Sequence, residues 1–146
     1  MGGQFKGYAQ YMTQQLLFDT SVWIDFLRNK NTPEADLLTD YIASNHPLVL
    51  TPTIIQEVLQ GIRDDAQYRQ IKDILSYITT FQLPPIQAAI GAAELYRSLR
   101  KKGLTIRKSN DCLIAFYAIE FSTPLAHSDA DFDVIAAHSK LKIWRP

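Results

Sequence analysis

The feature that most restricts the fold is a change of hydrophobic period at one acidic residue. Leu16-Leu17-Phe18 is a continuous apolar run with the length of a buried strand. Beyond Asp19, the residues Val22, Trp23, Phe26 and Leu27 recur at the spacing of one helix face. Asp19 stands where strand gives way to helix. In an open α/β sheet the carboxyl ends of the strands border the crevice in which ligands bind, so the position predicts a carboxylate facing that crevice. A structural use of the same residues is also open: Thr20 or Ser21 capping the helix while Asp19 neutralises its positive end. The remaining acidic positions decide between the two.

The alternation repeats along the chain. A strand at about 15 to 19 and a helix at about 21 to 28 are followed by Thr32-Pro33-Glu34, an N-cap, a proline at the first helical position and an acid in the first turn, which predict a helix to about Ser44. Leu48 to Thr51 forms the next apolar strand, and Pro52 turns the chain into a helix carrying Ile54, Ile55, Glu57, Val58 and Leu59, with Gly61 at its end. A helix from about Asp64 to Thr79 bears the stripe Tyr68, Ile71, Ile74, Leu75 and Ile78, and Phe81-Gln82-Leu83 reads as a short strand. A long helix from about Ile86 to Lys102 closes at Gly103, and Ser109 is expected to cap a helix containing Asp111. Pro124 to Ala126, a short helix to His138 and a last strand from Leu141 to Trp144 complete the pattern. Strands alternating with helices predict a mostly parallel sheet with helices on both faces.

A chain of 146 residues is large enough for one domain with its own core. The polar, glycine-punctuated residues 1–14 read as an extension, with Met12 a candidate start, and 15–146 as the domain. Cys112, the single cysteine, has no intramolecular partner, and with no signal-peptide pattern in view the expected location is the cytoplasm. No apolar run approaches the ~20 residues of a membrane-spanning helix, so no membrane partner is expected. Lys+Arg and Asp+Glu are equal at 15 each, so any recognition of phosphate has to be local.

Asp19 and Asp129 follow strands, Glu57 lies on the helix after the second strand, and Asp111 is in the first turn of a helix. In a parallel sheet all four come to the same edge. Several carboxylates so close cannot all stay ionised unaided, because like charges raise one another's pKa. A divalent cation resolves the conflict. Oxygen ligands with no cysteine or paired histidines select Mg2+ or Mn2+ over zinc. One or two such ions would acidify an attacking water and polarise a phosphodiester.

The pattern resembles the PIN domain family, and most closely its VapC-type toxin ribonucleases. The residues that carry the resemblance are Leu17 to Ile24, Ile55 to Gly61, Asn110 to Ala115 and Ser128 to Phe132, in family order from about residue 15 onwards. The resemblance implies a single PIN-like α/β domain and a metal-dependent endoribonuclease. In it Asp19, Glu57, Asp111 and Asp129 would be the catalytic metal ligands, with Ser21 hydrogen-bonding into the acidic site. It also implies an RNA substrate, a small antitoxin and a homodimer. One departure concerns the last motif: where many members have threonine and a small polar residue, this chain has His127-Ser128 followed by Asp129, Asp131 and Asp133. Asp129 is the expected fourth ligand and Asp131 the second choice.

Arg97, Arg100, Lys101, Lys102, Arg107 and Lys108 form a basic cluster just before Asp111. Arg107 and Lys108 can hold RNA phosphates at the rim, or the cluster is a helix end with a solvated loop. His127 is expected to be structural, Cys112 a small buried hydrophobe, and Asp25, Asp36, Asp40, Asp64, Asp65, Asp73, Glu94 and Glu120 exposed helix charges. Trp23 and the tyrosines and phenylalanines at helical spacing are core or interface residues before they are base-stacking platforms, and the apolar faces around Trp23 and Tyr41 are candidates for a dimer or antitoxin interface. The alternatives to the nuclease are a catalytically weak PIN-like module that binds RNA or protein, and a phosphatase with an aspartyl nucleophile, against which this chain has no Asp-x-Asp pair after the first strand.

Overall fold

The computed structural model describes residues 14–146. The predicted extension over 1–14, apart from Gln14, and Met12 lie outside the described residues. Among the described residues there are four strands, β1 (Leu16–Phe18), β2 (Leu48–Leu50), β3 (Thr79–Thr80) and β4 (Leu125–Ala126). Helices fill the intervals: α1 (Thr20–Leu27), α2 (Pro33–Ala43), α3 (Pro52–Gln60), α4 (Asp65–Ser76), α5 (Pro85–Lys101), α6 (Ser109–Glu120) and α7 (Ala130–Ala137).

The strands form one sheet in the order β3-β2-β1-β4, with every pairing parallel. Leu17 stands opposite Val49 on one side and Leu125 on the other. Leu16, Leu17 and Phe18 are all fully buried, and since neighbouring residues of a strand point to opposite faces, both faces of the sheet are covered. The chain builds outward from β1 through β2 to β3, then returns to the far side of β1 as β4. The order therefore reverses between β1 and β4, which opens the crevice at their carboxyl ends. Asp19 and Asp129 follow those two strands.

Local signals set most helix boundaries. The Oγ1 atoms of Thr32 and Thr51 accept the backbone N–H groups of Ala35 (3.0 Å) and Ile54 (3.2 Å), and each threonine is followed by the proline that opens its helix. At the end of α5, Gly103 takes φ +79°, its N–H bonds Arg100 O at 2.9 Å, and Leu104 N–H bonds Leu99 O at 3.0 Å, which closes the last turn. Packing of α5 on α6 and of α1 on α2 and α3 completes the layers.

Several expectations are corrected. The cap of α1 is Asp19 itself, neither Thr20 nor Ser21. Ser109 is the first residue of α6 and makes no capping bond, and Lys108 holds the cap position. Helix α4 stops at Ser76, and the strand after it is Thr79–Thr80, because these residues pair with Val49 and Leu50. The apolar Phe81 that suggested a later strand lies just past β3, where its N–H donates to Leu50 O at 2.7 Å and its buried ring stacks on Phe121 with centroids 4.0 Å apart. The strand at Leu141–Trp144 reduces to one bridge, Ile143 beside Leu125. Tyr68 is exposed, and Asp25 and Asp40 are half-buried.

Of the two roles open to Trp23 and Tyr41, core and interface, the structure selects the first. Both have 0% exposure, and Tyr41 meets Phe18 edge-on at 5.5 Å, so the faces proposed for a partner belong to the core. Helical spacing reports that a face is buried but not by what. Among the described residues the large apolar side chains left most exposed are Tyr77, Ile86 and Ile90. No helix among them is long and apolar enough to cross a membrane.

Candidate active site

Asp19, Thr20, Ser21, Ile24, Glu57, Gln60, Lys108, Asp111 and Asp129 line one cavity of about 270 Å³ at the reversal point of the sheet. A larger cavity, of about 480 Å³, lies between α3, α5 and α6, but it is mainly apolar and has no acid or base beyond Tyr117. The titratable groups thus converge on the smaller one.

Each carboxylate is held by a different part of the fold. Asp19 Oδ2 accepts the backbone N–H of Ser21 at 2.9 Å and the Ser21 hydroxyl at 2.6 Å. Ser21 Oγ in turn accepts the backbone N–H of Ser128 at 2.9 Å, tying the exit of β1 to the exit of β4. Glu57 arrives on α3 and accepts the Thr20 hydroxyl at 2.7 Å. Asp111 comes from the first turn of α6 and is 4% exposed. Asp129 caps α7, its Oδ1 accepting the Asp131 backbone N–H at 3.0 Å, and its Oδ2 lies 3.6 Å from Lys108 Nζ. Carboxylate oxygens of Asp111, Asp129 and Asp131 lie within 4.8 Å of one another. Asp111 and Asp129 therefore belong both to the cavity and to this cluster, whereas Asp131 belongs to the cluster and Asp19 and Glu57 to the cavity.

The electrostatic strain is concentrated at two residues. Burial raises the pKa of Asp19, against which the Ser21 hydrogen bonds act, while Glu57 adds to the rise. Asp111 is pushed up to about 7, first by burial and then by the charges of Asp19 and Asp129, with Lys108 pulling the other way. Asp19 Oδ1, Asp111 Oδ2 and Asp131 Oδ2 are buried without a hydrogen-bond partner, although Arg107 Nε lies 3.9 Å from the last of these as a charged neighbour. Buried oxygens left unpaired in an all-carboxylate donor set suit a hard divalent cation, which would satisfy them and remove the mutual repulsion.

Arg107 and Lys108 reach the rim, where they face Asp131 and Asp129. Arg97, Lys101 and Lys102 are exposed, and Arg100 lies over the Tyr96 ring at 5.7 Å. Asp133 is not part of the cluster, and its Oδ1 contacts His127 Nε2 and Arg145 Nη2 at 3.1 Å each. The sequence offers Thr20 only as a possible helix cap, and Ile24 and Gln60 only as members of the matching stretches, none of them as a site residue. Gln60 had a signal in its position one helical turn beyond Glu57, and Ile24 is one turn beyond Thr20; nothing local marks Thr20 as a partner of Glu57.

The PIN domain family model matches residues 16–138. The chain is 32% identical over 131 residues to the VapC ribonuclease Mb1587 of Mycobacterium bovis, covering 87% of this chain and 96% of that protein, and it matches ribonuclease VapC11 of Mycobacterium tuberculosis to the same extent. The fold is similar to VapBC2 from Rickettsia felis, solved with a promoter DNA fragment, with a TM-score of 0.69, 19% identity and coverage of 90% of this chain and 98% of that one. It is also similar to VapBC-5 from Mycobacterium tuberculosis, with a TM-score of 0.61, 22% identity and coverage of 92% and 99%. With the family model spanning most of the chain, and relatives about one-third identical along nearly their whole length, the chain belongs to the PIN domain family.

Proposed function

We propose that the chain is an endoribonuclease, the toxin of a toxin-antitoxin pair, using Mg2+ or Mn2+ held by Asp19, Glu57, Asp111 and Asp129, with Asp131 as an additional oxygen donor. The observation that carries the reading is the convergence of acids from four elements on one cavity, with Asp19 and Asp111 each keeping an unpaired buried oxygen. The relatives named as ribonucleases supply the reaction class, and those solved as VapBC complexes support a small antitoxin partner. A homodimer, a cytoplasmic location and a nuclease domain over 15–146 complete the reading.

A bound divalent cation supplies Lewis acidity toward the phosphodiester and toward the water that attacks it. The chain's own groups prepare the site. Ser21 holds Asp19 through Oδ2, leaving Oδ1 without a protein partner, and Thr20 holds Glu57 across the gap between α1 and α3. In the metal-free state Asp111, with a pKa near neutrality, retains a proton in a fraction of molecules and so limits the repulsion. Lys108 and Arg107 stand at the rim of the acidic pocket, where they hold backbone phosphates that the carboxylates would repel.

The test is cleavage of a mixed set of structured RNAs by the purified full chain with Mg2+, Mn2+ or excess chelator, beside Asp19→Asn and Asp111→Asn. Cuts that require the metal and vanish in both variants are expected. Cleavage in chelator, or full activity in either variant, overturns the mechanism. A folded, antitoxin-free preparation that cleaves nothing overturns the nuclease reading.

A further inference from the structure

The segment from β4 to α7, which delivers Asp129 to the pocket, is held by side-chain acceptors at three of its backbone N–H groups. Ser128 N–H donates to Ser21 Oγ at 2.9 Å, Asp129 N–H to His127 Nδ1 at 3.1 Å, and Asp131 N–H to Asp129 Oδ1 at 3.0 Å. The middle bond is made by a buried imidazole that the chemistry above does not use. His127 is only 9% exposed, its ring lies against Phe132 at 5.4 Å, and its Nε2 is 3.1 Å from Asp133 Oδ1.

A neutral imidazole has one bare nitrogen and one protonated nitrogen. Because Nδ1 accepts the Asp129 N–H, the proton resides on Nε2 and is donated to Asp133. Arg145 Nη2 contacts the same Asp133 oxygen at 3.1 Å, and the tail carrying Arg145 is anchored where Trp144 N–H bonds Leu125 O at 2.9 Å. The imidazole is thus held in one tautomer from one side and grips the Asp129 peptide with the other. That grip matters because Asp129 Oδ1 is occupied by its own turn, leaving Oδ2, 3.6 Å from Lys108 Nζ, as the oxygen with freedom to act in the pocket. Rotation of the Asp129 peptide would shift its carboxylate relative to Asp111 and Asp131, with which it clusters. An apolar residue would fill the same space, but it would leave the Asp129 N–H without an acceptor.

We propose that His127, oriented by Asp133 and Arg145, is a positioning residue that aims the Asp129 carboxylate into the acidic pocket; this rests on the reading of that pocket as a divalent-metal site. His127 acts through the Asp129 backbone and touches neither substrate nor metal. Groups that orient metal ligands from behind contribute about 10- to 100-fold to metal affinity in comparable sites.

The experiment uses the full chain, with Mn2+ binding followed by electron paramagnetic resonance and the imidazole tautomer by 15N chemical shifts. His127→Asn keeps an acceptor where Nδ1 stood, whereas His127→Gln keeps a donor toward Asp133 and loses that acceptor. The wild type is expected to show a bare Nδ1. The Gln variant is expected to bind Mn2+ about tenfold or more weakly, with RNA cleavage falling in step, and the Asn variant to stay within about threefold. A protonated Nδ1 in the wild type, wild-type affinity in the Gln variant, or equal losses in both variants overturn the proposal. Should the Gln variant not fold, Asp133→Ala at a half-exposed position takes its place, with a loss of about threefold expected as the tautomer is freed, and unchanged affinity overturns the proposal. No Mn2+ binding by the folded wild type overturns the metal-site reading and this proposal with it, whereas normal wild-type binding with an indifferent Gln variant overturns the role of His127 alone.

Discussion

Replacing Asp111 with asparagine is expected to stabilise the metal-free protein, and the gain depends on pH in a way that isolates its cause. Asp111 is 4% exposed and its pKa is raised from 3.8 to about 7. A group whose pKa is higher in the folded state binds more protons there, so ionising it opposes folding. The cost is absent below about pH 4, grows as pH rises between the unfolded and folded values, and is constant above about pH 7. A rise of roughly three units corresponds to at most about 4 kcal/mol. Asparagine removes the charge but leaves a buried amide, so the gain at pH 8 is expected to be about 2–4 kcal/mol, or about 5–15 °C in melting temperature for a domain of this size. Urea and thermal melts of chelator-treated protein from pH 4 to 8.5 measure it directly. Mg2+ at 100 times its Kd should then stabilise the wild type by about 2.7 kcal/mol and the variant by less, closing the gap. A variant no more stable than the wild type at pH 8, or a difference that does not change with pH, refutes the assignment of strain to Asp111.

Ser21→Ala removes the hydroxyl that joins Asp19 to the Ser128 backbone, and a loss of about 1–3 kcal/mol is expected in urea melts; a change below the error of the method contradicts the bridging role. A Cβ at Gly91 would lie 2.2 Å from the tip of the half-buried Phe116 ring, so Gly91→Ala should displace that ring from its place between α5 and α6 and cost about 1–3 kcal/mol, measured the same way. Arg107→Gln and Lys108→Gln should weaken RNA binding irrespective of sequence and lower the salt dependence by about 0.7 per residue, read from binding titrations across ionic strength. Unchanged binding in both would reduce the rim cations to partners of Asp131 and Asp129.

Legibility followed the range of the interactions. The change of period at Asp19, the Thr32-Pro33 and Thr51-Pro52 starts and the Gly103 stop act within a few residues, and they predicted an alternating α/β chain with a parallel sheet. Asp19 and Asp129 were placed after strands by the same local signals, so their arrival at one edge followed from the topology that parallel strands impose. The signals failed where two local forces compete, as at Ser109, which had the chemistry of a cap but lies inside its helix. Phe81 failed differently: it lies just past β3 with its N–H still on Leu50 O, and its ring stacks on Phe121, far along the chain.

What the amino-acid sequence determined by itself was therefore the set of elements, the acidic composition of the crevice and the donor chemistry it offers. Tertiary structure alone decided that Trp23 and Tyr41 are core residues, that Thr20 holds Glu57 and Ser21 holds the Ser128 backbone, and that His127 grips the Asp129 peptide while facing Asp133. These relations join side chains from separate elements, or depend on which rotamer a packed loop permits. Periodicity reports that a residue has a buried side; which atoms meet it there is set when the layers close.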